Sequence, residues 1–401
     1  MDTPLLLLLM IAFAFLADTV ERRVMGDRFR SLGGAEYLLV GAMFGPLGLG
    51  VIGADRLSAL DSAFALAAGL IGFSMGLSLP SRSALARRAD VRFGVVNATL
   101  IAAIVGITAY IGLRTLGFGP TGLVEAAMTL GFAAAISSSA VGVVARDHRA
   151  DGPVAQLLPT ASAIMRLVAV VGFGAALAAS PSLHDPLLGF SASWIGVAVI
   201  AGVGAGLVFH VFVGTQSDPQ MLLVASLGLV ALIGGMGEVL RLEPLLLGVF
   251  AGLTVAISSD AAPRIRATTL RLERPTLVVI FLYGGTRLHP QSLTEWLLPL
   301  AFVALRLIAL RIASPAAART HDGLDKNISR LGRGFAVQGA LAATVAVSYG
   351  HAVGGDLGRI VEMVLLLAAV ISTPLSWSSA SDLLKDAGET GRARPDAVNA
   401  P

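Results

Sequence analysis

Residues 131–171 read GFAAAISSSAVGVVARDHRADGPVAQLLPTASAIMRLVAVV, two apolar segments joined by a short charged turn. Near the middle of the first stand Ser137, Ser138 and Ser139; near the middle of the second stands Arg166. Polar and ionisable groups at membrane depth are costly, so they face a bundle interior or a water-filled path rather than lipid. The reading of the chain turns on whether these two features share one level.

Composition supports a membrane setting. Of 401 residues 55% are hydrophobic and 14% charged, and the mean hydropathy is +0.79, outside the range of ordinary soluble domains. No cysteine is present, which excludes disulfides and thiolate metal sites, and no cofactor is expected. The sequence pI near 9.7 raises nucleic acid as a partner. The basic residues, however, fall in short connections between apolar runs, which is a topology signal. The N-terminal run in MDTPLLLLLMIAFAFLADTVERR lacks a preceding basic region and a small-x-small cleavage site, so it reads as a retained first helix.

At about twenty apolar residues per span, thirteen spans are expected, at about 4–17, 36–54, 59–79, 94–115, 123–145, 157–179, 193–213, 221–240, 244–259, 275–286, 297–313, 335–349 and 358–377. With the N-terminus outside, 21 of the 29 basic residues lie on the cytoplasmic side and five on the other, while Arg166, Arg306 and Arg311 fall within spans. That asymmetry supports thirteen helices with the C-terminus inside, and the expected location is the plasma (inner) membrane. The transmembrane domain is thus expected over 4–377, and the polar segment 378–401 as a disordered cytoplasmic tail.

Spans four to six run in the opposite sense to spans eleven to thirteen, as an inverted-topology repeat requires. Each triplet has an interrupted middle helix: ISSSAVG in span five, and the polar, glycine-containing VQGALAATVAVSYG in span twelve. Such paired interruptions point to a transporter site at the repeat interface. The expected fold is therefore an all-α polytopic membrane protein with two discontinuous helices crossing near the midplane. Ser137 is eight residues from the inner end of its span and Arg166 nine from the start of the next. At 1.5 Å per residue both lie roughly 12–14 Å deep, near the centre of a ~30 Å core.

Several segments, in order, resemble the cation/proton antiporter superfamily, of the monovalent sodium or potassium/proton exchanger kind. EYLLVGAMFGPLGLGVI (36–52) is similar to an early helix with Gly-Pro followed by Leu-Gly. FALAAGLIGFSMGLSL (64–79) resembles the next helix, with Ser78 where the family usually has an acid. GFAAAISSSAVGVVARD (131–147) resembles the first unwound helix and GFAVQGALAATVAVSYG (334–350) the second. Between them, GEVLRLEPLLLGVFAGL (237–253) and ERPTLVVIFLYGGTRLHPQSL (273–293) are similar to family helices. The resemblance covers about 36–377. It implies antiport by alternating access, monovalent cations and protons as partners, and a homodimer.

One departure bears on chemistry. The family's sixth helix carries an acidic pair that binds cation and proton in alternation; here Met165 and Arg166 stand at those positions. Proton exchange needs a carboxylate tuned into the working range, and an arginine cannot release its proton. Among acidic residues, Glu125, Glu238 and Glu362 are read as close to span ends. Candidate substrate or ion ligands are Ser137, Ser138, Ser139, Met165, Arg166 and Gln338, the last able either to satisfy loosened backbone or to face the site. Arg306 and Arg311 on span eleven, where the family usually has a lysine, are read as structural or charge-compensating. The turn with Arg146, Asp147, His148, Arg149 and Asp151 reads as a solvated loop. No Walker loop, HExxH or nucleophile elbow appears, so the chain is not expected to be an enzyme. The function expected is a monovalent cation/proton antiporter with a non-standard ion site. Alternatives are an anion or neutral-solute carrier using Arg166, and a sensor or scaffold that has kept the fold without transport.

Overall fold

The protein's computed structural model describes residues 34–52, 54–78, 87–138, 145, 150, 152–178, 191–213, 218–321, 324, 330–373 and 375–390. Their extended regular elements are α1 (Ala35–Phe44), α2 (Ala54–Leu77), α3 (Arg88–Thr115), α4 (Leu123–Ala135), α5 (Pro153–Ala178), α6 (Ser191–Val213), α7 (Pro219–Leu240), α8 (Pro244–Ser258), α9 (Ala262–Thr269), α10 (Glu273–Arg287), α11 (Leu293–Ala318), α12 (Ala340–Val353), α13 (Gly355–Ser372) and α14 (Leu375–Asp386). Prolines open α5, α7 and α8, where the missing N–H would have no helical partner in any case. Six of these helices are long and apolar enough to cross a membrane, so the chain is an integral, multi-pass membrane protein. The expected span at 4–17 lies outside the described residues; each of the other twelve contains a helix.

Where boundaries differ from expectation, local chemistry accounts for it. The span expected at 36–54 is helical only to Phe44, because Gly45 is extended and the residue before a proline, here Pro46, avoids helical geometry. The span at 123–145 stops its helix at Ala135, and that at 335–349 starts its α-helix at Ala340; these are the two interruptions. The stretch read as a disordered tail from 378 is helical to Asp386, with Leu383 and Leu384 buried. An amphipathic apolar pair offsets the ordering entropy that polar composition alone suggested would dominate. Residues 391–401 lie outside the described residues.

The chain divides into two compact units. The first comprises Met1–Leu79, Gly174–Trp296 and Ala340–Val370. Its centre is a glycine seam between α2 and α8. A Cβ on Gly72 would stand 2.2 Å from the Leu245 carbonyl oxygen, and one on Gly248 would stand 2.3 Å from that of Gly69. With no room for a side chain at either place, the two backbones touch, as small residues allow in membrane helices. Phe73, Phe209, Leu222, Ile233, Leu247 and Val255 pack around this seam. Ile200, Val211 and Phe212 on α6 stay 74–78% exposed, apolar surface that lipid would cover.

The second unit comprises Pro80–Phe173, Leu297–Gly339 and Ile371–Pro401. In it α3 packs closely on α4, with Gly131 against the Ala102 carbonyl, and Gly94 of α3 admits Ile164 of α5. The α5 N-terminus is closed by Glu389, whose carboxylate oxygens accept from Val154 N–H at 3.0 Å and Ala155 N–H at 2.7 Å. A carboxylate at a helix N-terminus satisfies orphan donors and complements the dipole.

Candidate functional site: a crossing of two interrupted segments

The second unit contains both interruptions. Helix α4 ends because Ile136 turns to an extended conformation (φ −64°, ψ 127°), and serines follow whose hydroxyls compete with helical bonding. Ile136 N–H still donates to Ala133 O at 3.2 Å, and the carbonyls beyond it are left without helical donors. The second segment runs through a 3-10 turn, Leu331–Phe335, then 336–339, before α12 begins. Gly339, at φ +70°, makes the left-handed turn into α12, and a Cβ there would lie 3.3 Å from Ser138 Oγ. The two segments meet directly: Ser138 N–H donates to the Val337 carbonyl at 2.8 Å.

Arg306 of α11 pins this junction. Its Nε donates to Ala134 O at 2.8 Å, and Nη2 donates to Ile136 O at 2.8 Å and Phe335 O at 2.9 Å. Nη1 donates to Ala336 O. Four of the five guanidinium N–H groups are thus committed to carbonyls freed by two different interruptions. Arg306 is 1% exposed, and its charge meets the partial negative charge of the C-terminal end of α4. Arg311, five residues further along the same helix, is exposed, since five residues rotate a helical position well away from the original face.

Other expected residues take distinct places. Gln338 is 1% exposed; its Nε2 donates to Ala133 O at 2.9 Å, so it satisfies loosened backbone, and its Oε1 is buried without a hydrogen-bond partner among the described residues. Ser137 is fully buried. Met165 and Arg166 fall at the midpoint of α5, Met165 buried and Arg166 half-buried. Ser139 and the charged turn at 146–149 and 151 lie outside the described residues. Glu362, read as lying close to a span end, is the eighth residue of the eighteen in α13 and 4% exposed. The Arg287 Nε at 2.8 Å compensates its charge.

Two residues of this site were not anticipated. Ser162 Oγ lies 3.1 Å from both Ser137 Oγ and the Ser138 carbonyl, so α5 reaches the first interruption one turn before Arg166. The i, i+4 spacing of Ser162 and Arg166 was the available signal. Asn97, fully buried in α3, donates to Met165 Sδ at 3.4 Å and accepts from Ser314 Oγ at 3.2 Å, tying α3, α5 and α11 together. A lone asparagine inside a long apolar span was its signal.

Two interrupted segments crossing inside an apolar helical bundle, with unwound carbonyls held by a basic side chain, define the architecture of a secondary transporter. The chain belongs to the sodium/hydrogen exchanger transmembrane family, which it matches over residues 31–377; this is a family of transporters, not enzymes. It is similar to the structure of the sodium proton antiporter MjNhaP1 from Methanocaldococcus jannaschii at pH 8. That match has a TM-score of 0.65 and 17% identity over 96% of this chain and 100% of that one. An electron-microscopy map of the same antiporter matches at TM-score 0.60 and 14% identity over the same shares. These likenesses establish the shared fold. A comparison with curated proteins returns no match.

Proposed function

We propose that this protein is a secondary active transporter that exchanges a monovalent cation, Na⁺ or K⁺, for protons by alternating access, with its substrate site at the crossing. The observation that carries the reading is Arg306, whose single guanidinium binds carbonyls from both interrupted segments. With that fixed cation spent on the helix breaks, the oxygens proposed to meet a substrate are the hydroxyls of Ser137 and Ser162, 3.1 Å apart, and the unpartnered Gln338 Oε1, with Ser138 and Ser139 adjoining in sequence. Hard monovalent cations accept such hydroxyl and carbonyl oxygens as replacements for water. Orientation with the N-terminus outside, residence in an inner membrane and assembly as a homodimer belong to the same proposal.

The test is purified protein in liposomes loaded with a pH-sensitive dye and challenged with Na⁺, K⁺ or Li⁺. A dye response to at least one cation is expected, while a flat trace with all three at several pH values would sink the reading.

A second reading rests on Arg166, a permanent cation half-buried at the middle of α5. There the substrate is a small anion, bound by Arg166. Arg166→Ala then abolishes anion uptake with the protein still folded; uptake that survives the substitution rules this out.

A further inference from the structure

Cation/proton exchange requires a group that gains and loses a proton, and Met165-Arg166 provides none. In the first unit a cavity of about 490 Å³ is lined by Asp61, Trp194, Glu238, Arg241, Glu243 and His351, among others. It collects residues near the ends of α5, α7 and α12 and near the starts of α2, α6 and α8. The count of basic residues assigns every one of these ends to the outer side. The cavity therefore has the placement of an outward-facing vestibule.

Its acids differ in what they bind. Asp61 accepts from the Tyr283 hydroxyl and has His351 Nδ1 at 4.0 Å. Glu238 and Arg241 are exposed to solvent. Glu362, outside the lining, is paired with Arg287. Glu243, between α7 and α8, has a neutral partner: Ser348 Oγ donates to its Oε1 at 2.6 Å. Burial, partly offset by hydrogen bonding, pushes its carboxyl up to about 7. Ser348 lies on α12, the helix that continues the chain directly from Gln338 and Gly339. It is eight residues beyond the first residue of α12, about 12 Å along the axis.

We propose that Glu243 is the proton-binding residue of this transporter, taking a proton from the vestibule and reporting its state to the second interruption through Ser348 and α12. The step is simple protonation, in which carboxylate plus proton gives the neutral acid and reverses on release. A hydrogen bond to an ionised acceptor is roughly twice as strong as one to a neutral acceptor. Ionised Glu243 thus holds α12 firmly and protonated Glu243 holds it weakly. This inference rests on the exchange reading above and separates two roles: the cation binds at the crossing and the proton binds at Glu243.

The experiment uses full-length protein in the dye-loaded liposomes with Na⁺, K⁺ and Li⁺ pulses across pH, alongside infrared spectra of the protonated-carboxyl band. Glu243→Gln is expected to lower proton flux at least about tenfold and to flatten its pH dependence, whereas Glu243→Asp retains a titrating profile. Ser348→Ala, which removes a bond to the ionised form, should move the midpoint upward by roughly half to one pH unit. Wild-type flux and midpoint in Glu243→Gln would overturn the inference while leaving the exchange reading standing. If wild-type protein responds to none of the cations, the exchange reading fails and the infrared band decides the proton site separately. A band present in wild type but absent from Glu243→Gln, titrating near neutrality, supports it; a band already lost by about pH 5 overturns it.

Discussion

Arg306 illustrates how a charge can be placed inside a bundle with backbone carbonyls, and no carboxylate among the described residues, as its partners. Desolvating a guanidinium costs several kcal/mol, but each charge-assisted hydrogen bond contributes roughly 1.5–3 kcal/mol, and here four carbonyls otherwise left unsatisfied are served together. Arg306→Ala is expected to destabilise the protein by about 3–5 kcal/mol, read as a lower Tm in detergent. Arg306→Lys recovers only part of this, because one ammonium lacks the planar fork that reaches both segments. Ser162→Ala, by contrast, removes one hydroxyl from the crossing and is expected to reduce cation-dependent dye response several-fold with stability changed by about 1 kcal/mol or less; an unaltered response would remove Ser162 from the site. For Glu243 the sign of the pH effect is defined. Burial raises its carboxyl from the ordinary 4.5 to about 7, so the folded form binds the proton more tightly. Its stabilising contribution is full below the unfolded value and is lost as pH rises through 7. Wild type should therefore lose stability relative to Glu243→Gln between those two pH values, and equal Tm–pH slopes for the two proteins would contradict this. Of these residues, Arg306 and Gln338 could be picked out in the sequence as polar groups within spans. Their partners could not, since an arginine's choice among carbonyls far apart in sequence depends on how the chain folds back.

At the scale of elements, glycine governs packing in one place and is indifferent in another. Gly248 of α8 faces the Gly69 carbonyl so closely that a Cβ would lie 2.3 Å away. Gly204 of α6 has nothing within 4 Å of such an atom. Gly248→Ala is expected to force α2 and α8 apart and cost about 1–3 kcal/mol, whereas Gly204→Ala should leave stability unchanged or raise it slightly. Paired thermal melts of the two variants check this. The two interruptions have unlike causes: one is an extended isoleucine followed by serines, the other a 3-10 turn at Leu331–Phe335 followed, four residues on, by Gly339 at positive φ. Both were visible as polar or glycine-bearing segments inside apolar runs. Their exact limits were not, because runs such as AAAISSSAVG remain apolar enough to read as continuous helix until carbonyl partners from another segment replace the helical bonds.

At the scale of the whole molecule, six helix ends, all within the first unit, line one cavity, and within the second unit the tail closes the N-terminal end of α5. Helix α14 places Leu383 beside Leu158 at Gly334, and Glu389 caps α5. Glu389→Ala is expected to cost about 0.5–2 kcal/mol through the lost cap. A chain ending at 374 should melt at a lower temperature still, since the seat of Leu383 and Leu384 opens as well; an unchanged melt for both would show that the tail contributes nothing. The helix meets Arg330 at Asp386 in an exposed pair 2.7 Å long, which adds little.

By itself the sequence determined that the chain lies in a membrane, which connections carry the basic residues and where two helices are interrupted. These follow from transfer energies and local backbone preference, which act residue by residue along the chain. Tertiary structure decided that Arg306 rather than Arg311 holds the crossing, that Ser162 and Asn97 join it, that Glu362 is paired with Arg287, and that Glu243 meets Ser348 beside a cavity. Each of these is a pairing between residues tens to hundreds of positions apart, and a buried polar group's energy is set by the partner that folding brings to it.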